Sequence, residues 1–208
     1  MKEIISLLEK LKVIPVISIE DPDRALDLAD ALIEGGLPMA EVTFRTDAAG
    51  RAMSTIASKR PEMNISAGTI LTLDQLKKAR DTGARFGVAP GFNPKLVEEA
   101  LKMGFPFIPG ILTPGEISMA IEYGLILLKY FPAEPAGGVK LLKSTIAPFA
   151  HLGIKYSPTG GIGRDTYRDY LEIPQVVSIG GSWVASKNDI NEGNWEKIIS
   201  NCKEVTGK

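Results

Sequence analysis

"VIPVISIEDPDRALDLADALIEGGLPMAEVTF", residues 13–44, contains one complete strand–helix–strand unit. Its two ends, 13–18 and 39–44, are short apolar runs that are typical of strands. The stretch between them, 21–36, has apolar residues at helical spacing, begins with the capping residue Asp21 and ends at a pair of glycines. A helix that connects two such strands predicts that they pair in parallel.

The alternation of strands and helices continues along the chain. Further apolar runs predict strands at 64–69, 85–90, 105–110, 125–130, 153–159 and 176–181. Helical patterns follow the first three of these runs, at 72–84, 93–105 and 113–124. The pattern predicts one α/β domain, residues 1–208, folded as a (β/α)8 TIM barrel with an extra helix at its N-terminus. A doubly wound open sheet is the alternative.

The composition limits the partners of this protein. The chain is 44% hydrophobic and 24% charged, with a formal net charge of -1. This balance is typical of a soluble globular protein and favours neither nucleic acid nor an acidic membrane surface. The N-terminal stretch lacks the apolar centre of a signal peptide, and no segment approaches the roughly 18 apolar residues of a membrane span. We therefore expect a cytoplasmic protein with no membrane partner.

Cysteine and histidine are too scarce for several kinds of site. Cys202 is the only cysteine and His151 the only histidine in the sequence. An internal disulfide, a thiolate metal cluster and the usual zinc sites are therefore excluded. We expect Cys202 to pack in the last helix. His151 precedes a strand, so we expect it at the end of the barrel away from the site.

Lys129 stands where a predicted strand ends, which is where barrels of this kind carry their functional side chains. It follows the apolar run 125–128 and precedes two aromatic residues and a proline. At such a position desolvation and a nearby cation favour the neutral amine, which can attack a ketone and form a Schiff base. The alternative is a lysine whose stem packs at the strand end while its head reaches water.

A second group of polar residues lies in "AEVTFRT", residues 40–46. On a strand, Glu41, Thr43 and Arg45 share one face because side chains alternate. Arg45 is suited to hold a substrate carboxylate through two N–H groups, and Glu41 is suited to transfer protons. The alternative is an internal salt bridge that only orders the barrel mouth.

Two glycine clusters follow the last two predicted strands, "SPTGGIGRDT" at 157–166 and "SIGGSW" at 178–183. Loops at these positions of a barrel often bind phosphate through backbone N–H groups, and Ser182 adds a hydroxyl. Plain tight turns are the alternative. Thr69, at the end of another strand, either donates to a carboxylate or caps the element that follows.

Seven motifs in order give the sequence a resemblance to a known family: GGLPMAEVTFRT, SAGTIL, APGFNP, FIPGILTPGEI, LKYFPAE, PTGGI and IGGSW. Over nearly its whole length the chain resembles the 2-keto-3-deoxy-6-phosphogluconate (KDPG) aldolases. These are small class I aldolases that often also act on 4-hydroxy-2-oxoglutarate (KHG). It departs from them in "SAGT" for the familiar "GAGT", in Ala89 for a common serine and in Tyr130 for a phenylalanine.

The resemblance implies roles for particular residues. Lys129 is the Schiff-base lysine, and Glu41 is the general acid and base. Arg45 and Thr69 hold the substrate carboxylate. The resemblance also implies a pocket wall and a phosphate site, formed by Pro90 and Phe131 and by Gly160, Gly161, Gly181 and Ser182 respectively. It implies no metal, no organic cofactor, a small keto-acid phosphate as substrate, and a homotrimer.

The implied activity is cleavage of 2-dehydro-3-deoxy-6-phosphogluconate to pyruvate and glyceraldehyde 3-phosphate through a lysine Schiff base. Cleavage of 4-hydroxy-2-oxoglutarate to pyruvate and glyoxylate is a further expectation. Two other functions stay open at this point. One is an isomerase or epimerase of a phosphorylated sugar with Glu41 as its base, and the other is a ligand-binding or regulatory subunit without turnover.

Overall fold

The computed structural model describes residues 1–207, which form short parallel strands alternating with helices. The strands are β1 (Val13–Ile17), β2 (Met39–Thr43), β3 (Asn64–Gly68), β4 (Phe86–Val88), β5 (Phe107–Ile108), β6 (Gly110–Ile111), β7 (Leu127–Tyr130), β8 (Lys155–Pro158) and β9 (Ile179–Gly181). The α-helices are α1 (Lys2–Leu11), α2 (Ala25–Glu34), α3 (Ala49–Lys59), α4 (Leu73–Asp81), α5 (Pro94–Lys102), α6 (Pro114–Glu122), α7 (Ala133–Ala136), α8 (Gly138–Ile146), α9 (Tyr167–Leu171), α10 (Lys187–Glu192) and α11 (Trp195–Thr206). Short 3-10 helices cover Pro22–Arg24 and Ala147–Leu152.

The strands form two parallel sheets. One has the order β5-β4-β3-β2-β1-β9, and the other has the order β6-β7-β8. Isolated parallel bridges join Tyr156 to Val176 and Thr159 to Gly180, next to β8 and β9. Neighbouring strands follow the chain order with one exception, in which β1, the first strand, pairs with β9, the last. A doubly wound sheet instead adds successive strands on both sides of its first strand, so that alternative is wrong.

Every predicted strand is present, but the one predicted at 105–110 is divided. Pro109 lies between β5, which pairs with β4, and β6, which pairs with β7. Proline has no N–H to donate to a ladder, so strand pairing is interrupted at this residue. Its carbonyl still accepts a hydrogen bond from the backbone N–H of Lys129 at 3.0 Å.

The extra N-terminal helix covers the amino-terminal ends of the strands. Ile4 and Leu8 of α1 are buried in one apolar cluster with strand residues such as Met39, Phe86 and Leu127. These three residues each begin a strand, so the cluster lies at the end of the sheets opposite the strand carboxyl ends. The polar residues at the carboxyl ends thus face an opening that no helix within residues 1–207 covers in this way.

The predicted helix starts are confirmed by their caps. The carboxylate of Asp21 accepts from the N–H of Asp23, and Asn93 accepts from that of Lys95. Thr72 forms a capping box that begins α4, and Thr113 forms another that begins α6. Within residues 1–207, no helix is long and apolar enough to cross a membrane.

The two scarce residues lie away from the strand carboxyl ends. Cys202 is fully buried in α11, and burial raises the pKa of its thiol to about 12. A side chain at Gly35 would collide with this cysteine, so the two residues fix how closely α2 and α11 approach. The packing role predicted for Cys202 is thereby confirmed. His151 is exposed in the 3-10 helix that precedes β8.

Tyr156 offers a test of the core that does not involve the site. Its side chain is 1% exposed, and its hydroxyl has no hydrogen-bond partner among the described residues. Burial also raises the pKa of this hydroxyl to about 12. Because the hydroxyl loses water on folding and gains no partner, Tyr156→Phe should raise the free energy of unfolding by about 1 kcal/mol. Urea denaturation measures this free energy. A variant less stable than the wild-type protein would mean that the Tyr156 hydroxyl has a hydrogen-bond partner.

Candidate active site

A cavity of about 390 Å³ opens at the carboxyl ends of the strands. Most of the predicted site residues line it, although they come from distant parts of the chain. These are Glu41, Arg45, Thr69, Pro90, Lys129, Phe131, Gly160, Gly161 and Ser182. A second cavity, about 310 Å³, lies near α1 and α5 and is lined by apolar side chains such as Val97, Leu101 and Phe105. It lacks side chains that could do acid–base or nucleophilic chemistry, so the first cavity is the candidate site.

A buried ion pair is the centre of this cavity. Nζ of Lys129, on β7, donates to Oε1 of Glu41, on β2, at 3.0 Å. The two residues are only 6% and 3% exposed. Nζ also lies 5.5 Å from the centre of the Phe131 ring. The alternative of a lysine reaching into water is therefore wrong.

The alternative considered from the sequence was a salt bridge between Glu41 and Arg45, but Glu41 has a different partner in the structure. At the carboxyl ends of the strands it is Lys129 that contacts the carboxylate, and this contact joins two strands that do not pair with each other. The geometry has a chemical consequence. A proton that moves from Nζ to the carboxylate leaves a neutral amine and a neutral acid, and the net charge of the buried pair does not change.

Gly68, the last residue of β3, makes room for that carboxylate. A Cβ at this position would collide with Oε1, and it would lie 2.7 Å from Cγ of Glu41. Any larger residue would therefore push Glu41 away from Lys129. Gly68 was not among the predicted site residues, although "SAGT" contains it, because nothing local shows which side chain lies over the glycine.

Arg45 lies beyond the strand on which it was expected. The strand β2 ends at Thr43, and Arg45 lies in the turn that follows. Its Nε donates to Oγ1 of Thr43 at 3.0 Å, and that hydroxyl in turn donates to the carbonyl of Ile17 at 2.8 Å. Because Arg45 is not held by strand pairing, these two hydrogen bonds hold its guanidinium at the cavity. No carboxylate within residues 1–207 forms an ion pair with Arg45, which leaves its charge for a ligand.

Thr69 has an unusual backbone. Its φ is 57°, in the left-handed region that β-branched residues rarely adopt, at a typical cost of about 1–3 kcal/mol. The alternative that Thr69 caps the next helix is wrong, because Thr72 is the N-cap of α4. The strained backbone instead keeps Thr69 at the wall of the cavity.

The loop after β8 presents backbone N–H groups in a fixed direction. The N–H groups of Ala133 and Glu134, at the start of α7, donate to the carbonyls of Thr159 and Gly160, both at 2.9 Å. In a trans peptide the C=O and N–H point in opposite directions. The N–H groups of Gly160 and Gly161 therefore point away from α7, and both residues line the cavity.

Both glycines of this loop are required by its shape. Gly160 has a φ of 104° and Gly161 a φ of 77°, values that glycine adopts without strain. A Cβ on Gly160 would lie 3.1 Å from the Phe131 ring, and one on Gly161 would lie 2.7 Å from Cβ of Glu134. The interpretation as an ordinary tight turn does not explain why both face the cavity.

The second glycine cluster also contributes to the lining of the cavity. Among the described residues that line the cavity are Gly180 and Ser182, but not Gly181. Gly181 instead packs on Trp183, whose Nε1 would lie 2.7 Å from an added Cβ. The assignment of Gly181 to the phosphate site stays a prediction, and Gly180 joins the residues that line the cavity. Trp183, for which no role was predicted, also lines the cavity.

The acidic residues and the single histidine are dispersed. Over residues 1–207, no group of three or more His, Cys, Asp or Glu side chains could hold a metal ion. In the cavity itself, the ionisable side chains are those of Glu41, Arg45 and Lys129. These groups suit proton transfer, anion binding and nucleophilic attack.

Comparison with known proteins identifies the family. The sequence model of the KDPG and KHG aldolases matches residues 4–201. The chain belongs to this family. Among relatives of this aldolase family, the 2-dehydro-3-deoxy-phosphogluconate aldolase of Haemophilus influenzae is 45% identical over 204 residues, which is 98% of this chain and 95% of the relative.

Solved structures of the aldolase family share the fold. The KDPG aldolase of Legionella pneumophila, with pyruvate captured at low pH as a covalent carbinolamine intermediate, is 36% identical, with a TM-score of 0.92 over 97% of each chain. The enzyme of Zymomonas mobilis ZM4, solved with 3-phosphoglycerate, is also 36% identical. Its TM-score is 0.88, over 97% of this chain and 94% of that one. The α/β fold is therefore that of KDPG aldolase structures.

Proposed function

We propose that this protein is a class I aldolase that cleaves 2-dehydro-3-deoxy-6-phosphogluconate to pyruvate and glyceraldehyde 3-phosphate. The observation that carries the proposal is the buried contact of 3.0 Å between Lys129 and Glu41 inside a cavity that also contains Arg45. A nucleophile, a proton carrier and a free cation are the groups that cleavage of a 2-keto acid needs. We propose 4-hydroxy-2-oxoglutarate as a second substrate, which yields pyruvate and glyoxylate.

The first stage forms the imine. Glu41 accepts a proton from Lys129, and the neutral amine attacks the C2 ketone to give a carbinolamine. Glu41 then returns the proton to the C2 hydroxyl, which leaves as water. The product is a protonated imine, which draws electrons from the neighbouring carbon. The carbinolamine captured in the Legionella pneumophila relative is the corresponding species of that enzyme.

The second stage breaks the carbon–carbon bond. Glu41, acting through a water molecule, removes the proton of the C4 hydroxyl. The electron pair of the C3–C4 bond moves toward the imine, giving an enamine on Lys129 and releasing the aldehyde. Glu41 then protonates C3 of the enamine, and water hydrolyses the resulting imine to free pyruvate and the amine.

The other residues of the cavity hold the substrate so that C2 faces Nζ. We assign the carboxylate to the guanidinium of Arg45 and the hydroxyl of Thr69, because both line the cavity beside the ion pair. Pro90 and Phe131 form its wall and limit access of water to the amine. We assign the phosphate to Gly160, Gly161, Gly181 and Ser182, and Gly180 lines the cavity beside them. Binding of this remote group orients the reacting carbon.

For the fold, we propose that residues 1–208 form one domain and that its strands close into a complete (β/α)8 barrel. The β5 and β6 segments are separated only by Pro109, so together they count as one strand shared by the two sheets. The bridge between Thr159 and Gly180 supports closure on the other side, next to β9. The family match over 4–201 supports a single domain.

The assembly and the location stay predictions. We propose a homotrimer, for which light scattering should give three times the 22.4 kDa of one chain. Exposed leucines such as Leu71 and Leu101, each 55% exposed, are candidates for burial between subunits. We propose the cytoplasm as the location, on the basis of the composition given above.

The activity is tested with the purified protein and 2-dehydro-3-deoxy-6-phosphogluconate. Pyruvate is followed by its reduction with lactate dehydrogenase and NADH. We expect stoichiometric pyruvate and glyceraldehyde 3-phosphate without added metal. Conversion of the substrate to an isomer without pyruvate would instead favour the isomerase. Binding without any conversion would favour the ligand-binding subunit.

The phosphate assignment predicts the effect of Gly161→Ala. The added Cβ would collide with Glu134, and alanine is strained at the φ of 77° found here. The loop must therefore shift, which turns its N–H groups away from the phosphate. We expect the KM for the phosphorylated substrate to rise about tenfold, the equivalent of one lost charge-assisted hydrogen bond. Gly153→Ala is the matched control, since its φ is 71° but no described atom lies within 4 Å of the new Cβ. Equal KM values in the two variants would contradict the assignment.

A further inference from the structure

Tyr170 is a buried tyrosine outside the cavity whose hydroxyl has a charged partner. Its hydroxyl, on α9, donates to Oε1 of Glu134 at 2.6 Å, and the residue is fully buried. Burial first, and then this hydrogen bond, raise the pKa of the Tyr170 hydroxyl well above its usual range, so it stays a donor. Tyr156 is equally buried but has no partner among the described residues. The hydrogen bond to Glu134 therefore distinguishes Tyr170 from Tyr156.

The Tyr170–Glu134 bond connects the two helices that flank the glycine loop after β8. Glu134 belongs to α7, and Tyr170 belongs to α9, the helix that the loop leads into. At its other end the loop is anchored by the N–H groups of Ala133 and Glu134, which donate to Thr159 and Gly160. The loop is thus held to α7 at its start by backbone bonds, and α9 is held to α7 by the side-chain bond.

Glu134 also touches the loop directly. Its Cβ and Cγ lie 2.7 and 3.4 Å from where a Cβ of Gly161 would be. On its other side, the carboxylate lies near the start of α8, 3.7 Å from the position of an added Cβ on Gly138. The tyrosine hydroxyl holds the carboxylate beside α8 and outside the lining of the cavity, where its charge would repel a phosphate.

We propose that Tyr170 and Glu134 are positioning residues that set the affinity of this site for a phosphate ester. Neither side chain is among the described residues that line the cavity, so both act through the Gly160–Gly161 backbone. The bond keeps the carboxylate away from the ligand and keeps the two N–H groups aimed at it. The inference rests on the proposed function in one respect only, the assignment of the phosphate to this loop.

Tyr170→Phe tests the proposal because it removes the hydroxyl and keeps the ring. The measurement is the dissociation constant of glycerol 3-phosphate, a plain phosphate ester, and of pyruvate, which has no phosphate, by titration calorimetry. We expect the Kd of glycerol 3-phosphate to rise about tenfold relative to the Kd of pyruvate. This is the change expected for the loss of one hydrogen bond to a charged group. Tyr156→Phe is the matched control, and its ratio should equal that of the wild-type protein.

A double-mutant cycle separates positioning from packing. In a Glu134→Ala background, Tyr170→Phe should have no further effect on the ratio, because its partner is already gone. An unchanged ratio in Tyr170→Phe, or a shift of the same size in the Glu134→Ala background, would overturn the proposal. These binding constants are measured without turnover, so they test the role of Tyr170 independently of the cleavage assay. If the wild-type protein does not cleave its substrate, the aldolase proposal fails, whereas the proposal for Tyr170 is still decided by the binding ratio.

Discussion

Lys129→Met should abolish cleavage of 2-dehydro-3-deoxy-6-phosphogluconate. Methionine has a similar length but no nucleophile, so the imine cannot form, and we expect kcat to fall about 10⁴-fold or more. The pyruvate-coupled assay measures it. Lys155→Met is the matched control, because Lys155 is also a strand lysine but lies outside the cavity and pairs only loosely with Glu9, at 3.9 Å. Residual activity within tenfold of the wild-type protein would exclude Lys129 as the nucleophile.

The same substitution should also destabilise the fold, which must be separated from its effect on catalysis. Removing one partner of a buried ion pair leaves the other uncompensated, at a typical cost of about 3–5 kcal/mol. Lys129→Met together with Glu41→Gln removes both charges and should recover much of this loss. Thermal unfolding of the single and double variants measures it, and a double variant that is folded but inactive assigns the loss of activity to chemistry.

Glu41→Gln should lower kcat by about 10²–10⁴-fold, the usual contribution of a general acid–base group, while KM changes little. The amide oxygen can still accept from Nζ of Lys129 but cannot take up its proton. The variant should therefore still form the pyruvate adduct, although slowly. Full turnover in Glu41→Gln would show that another group transfers the protons, whereas a raised KM at constant kcat would reduce Glu41 to a substrate contact.

Sequence patterns predict the fold here because each strand is short, apolar and followed by a helix with its own start signal. The caps Thr72 and Thr113 make their bonds within four residues, so the sequence alone is sufficient to place them. Pro109 shows the limit of such patterns. Its place inside an apolar run predicts a strand, but only the partner strands determine that pairing changes from β4 to β7 at that residue.

The site residues could be predicted one by one, but their contacts could not. Lys129 and Glu41 are 88 residues apart and lie on strands that do not pair, so no local pattern brings them together. Gly68 is needed only because the Glu41 carboxylate passes over it. The lining by Gly180 is a further case, since the packing of its neighbour Gly181 on Trp183 is seen only in the folded chain.

Trapping of the pyruvate imine tests the central claim most directly. The protein is incubated with pyruvate and sodium borohydride, digested, and analysed by mass spectrometry, with Lys129→Met as the control. We predict a reduced pyruvyl adduct on Lys129 and none on the variant. A wild-type protein that binds pyruvate but gives no adduct, or one modified only at other lysines, would contradict the assignment of this chain as an imine-forming aldolase.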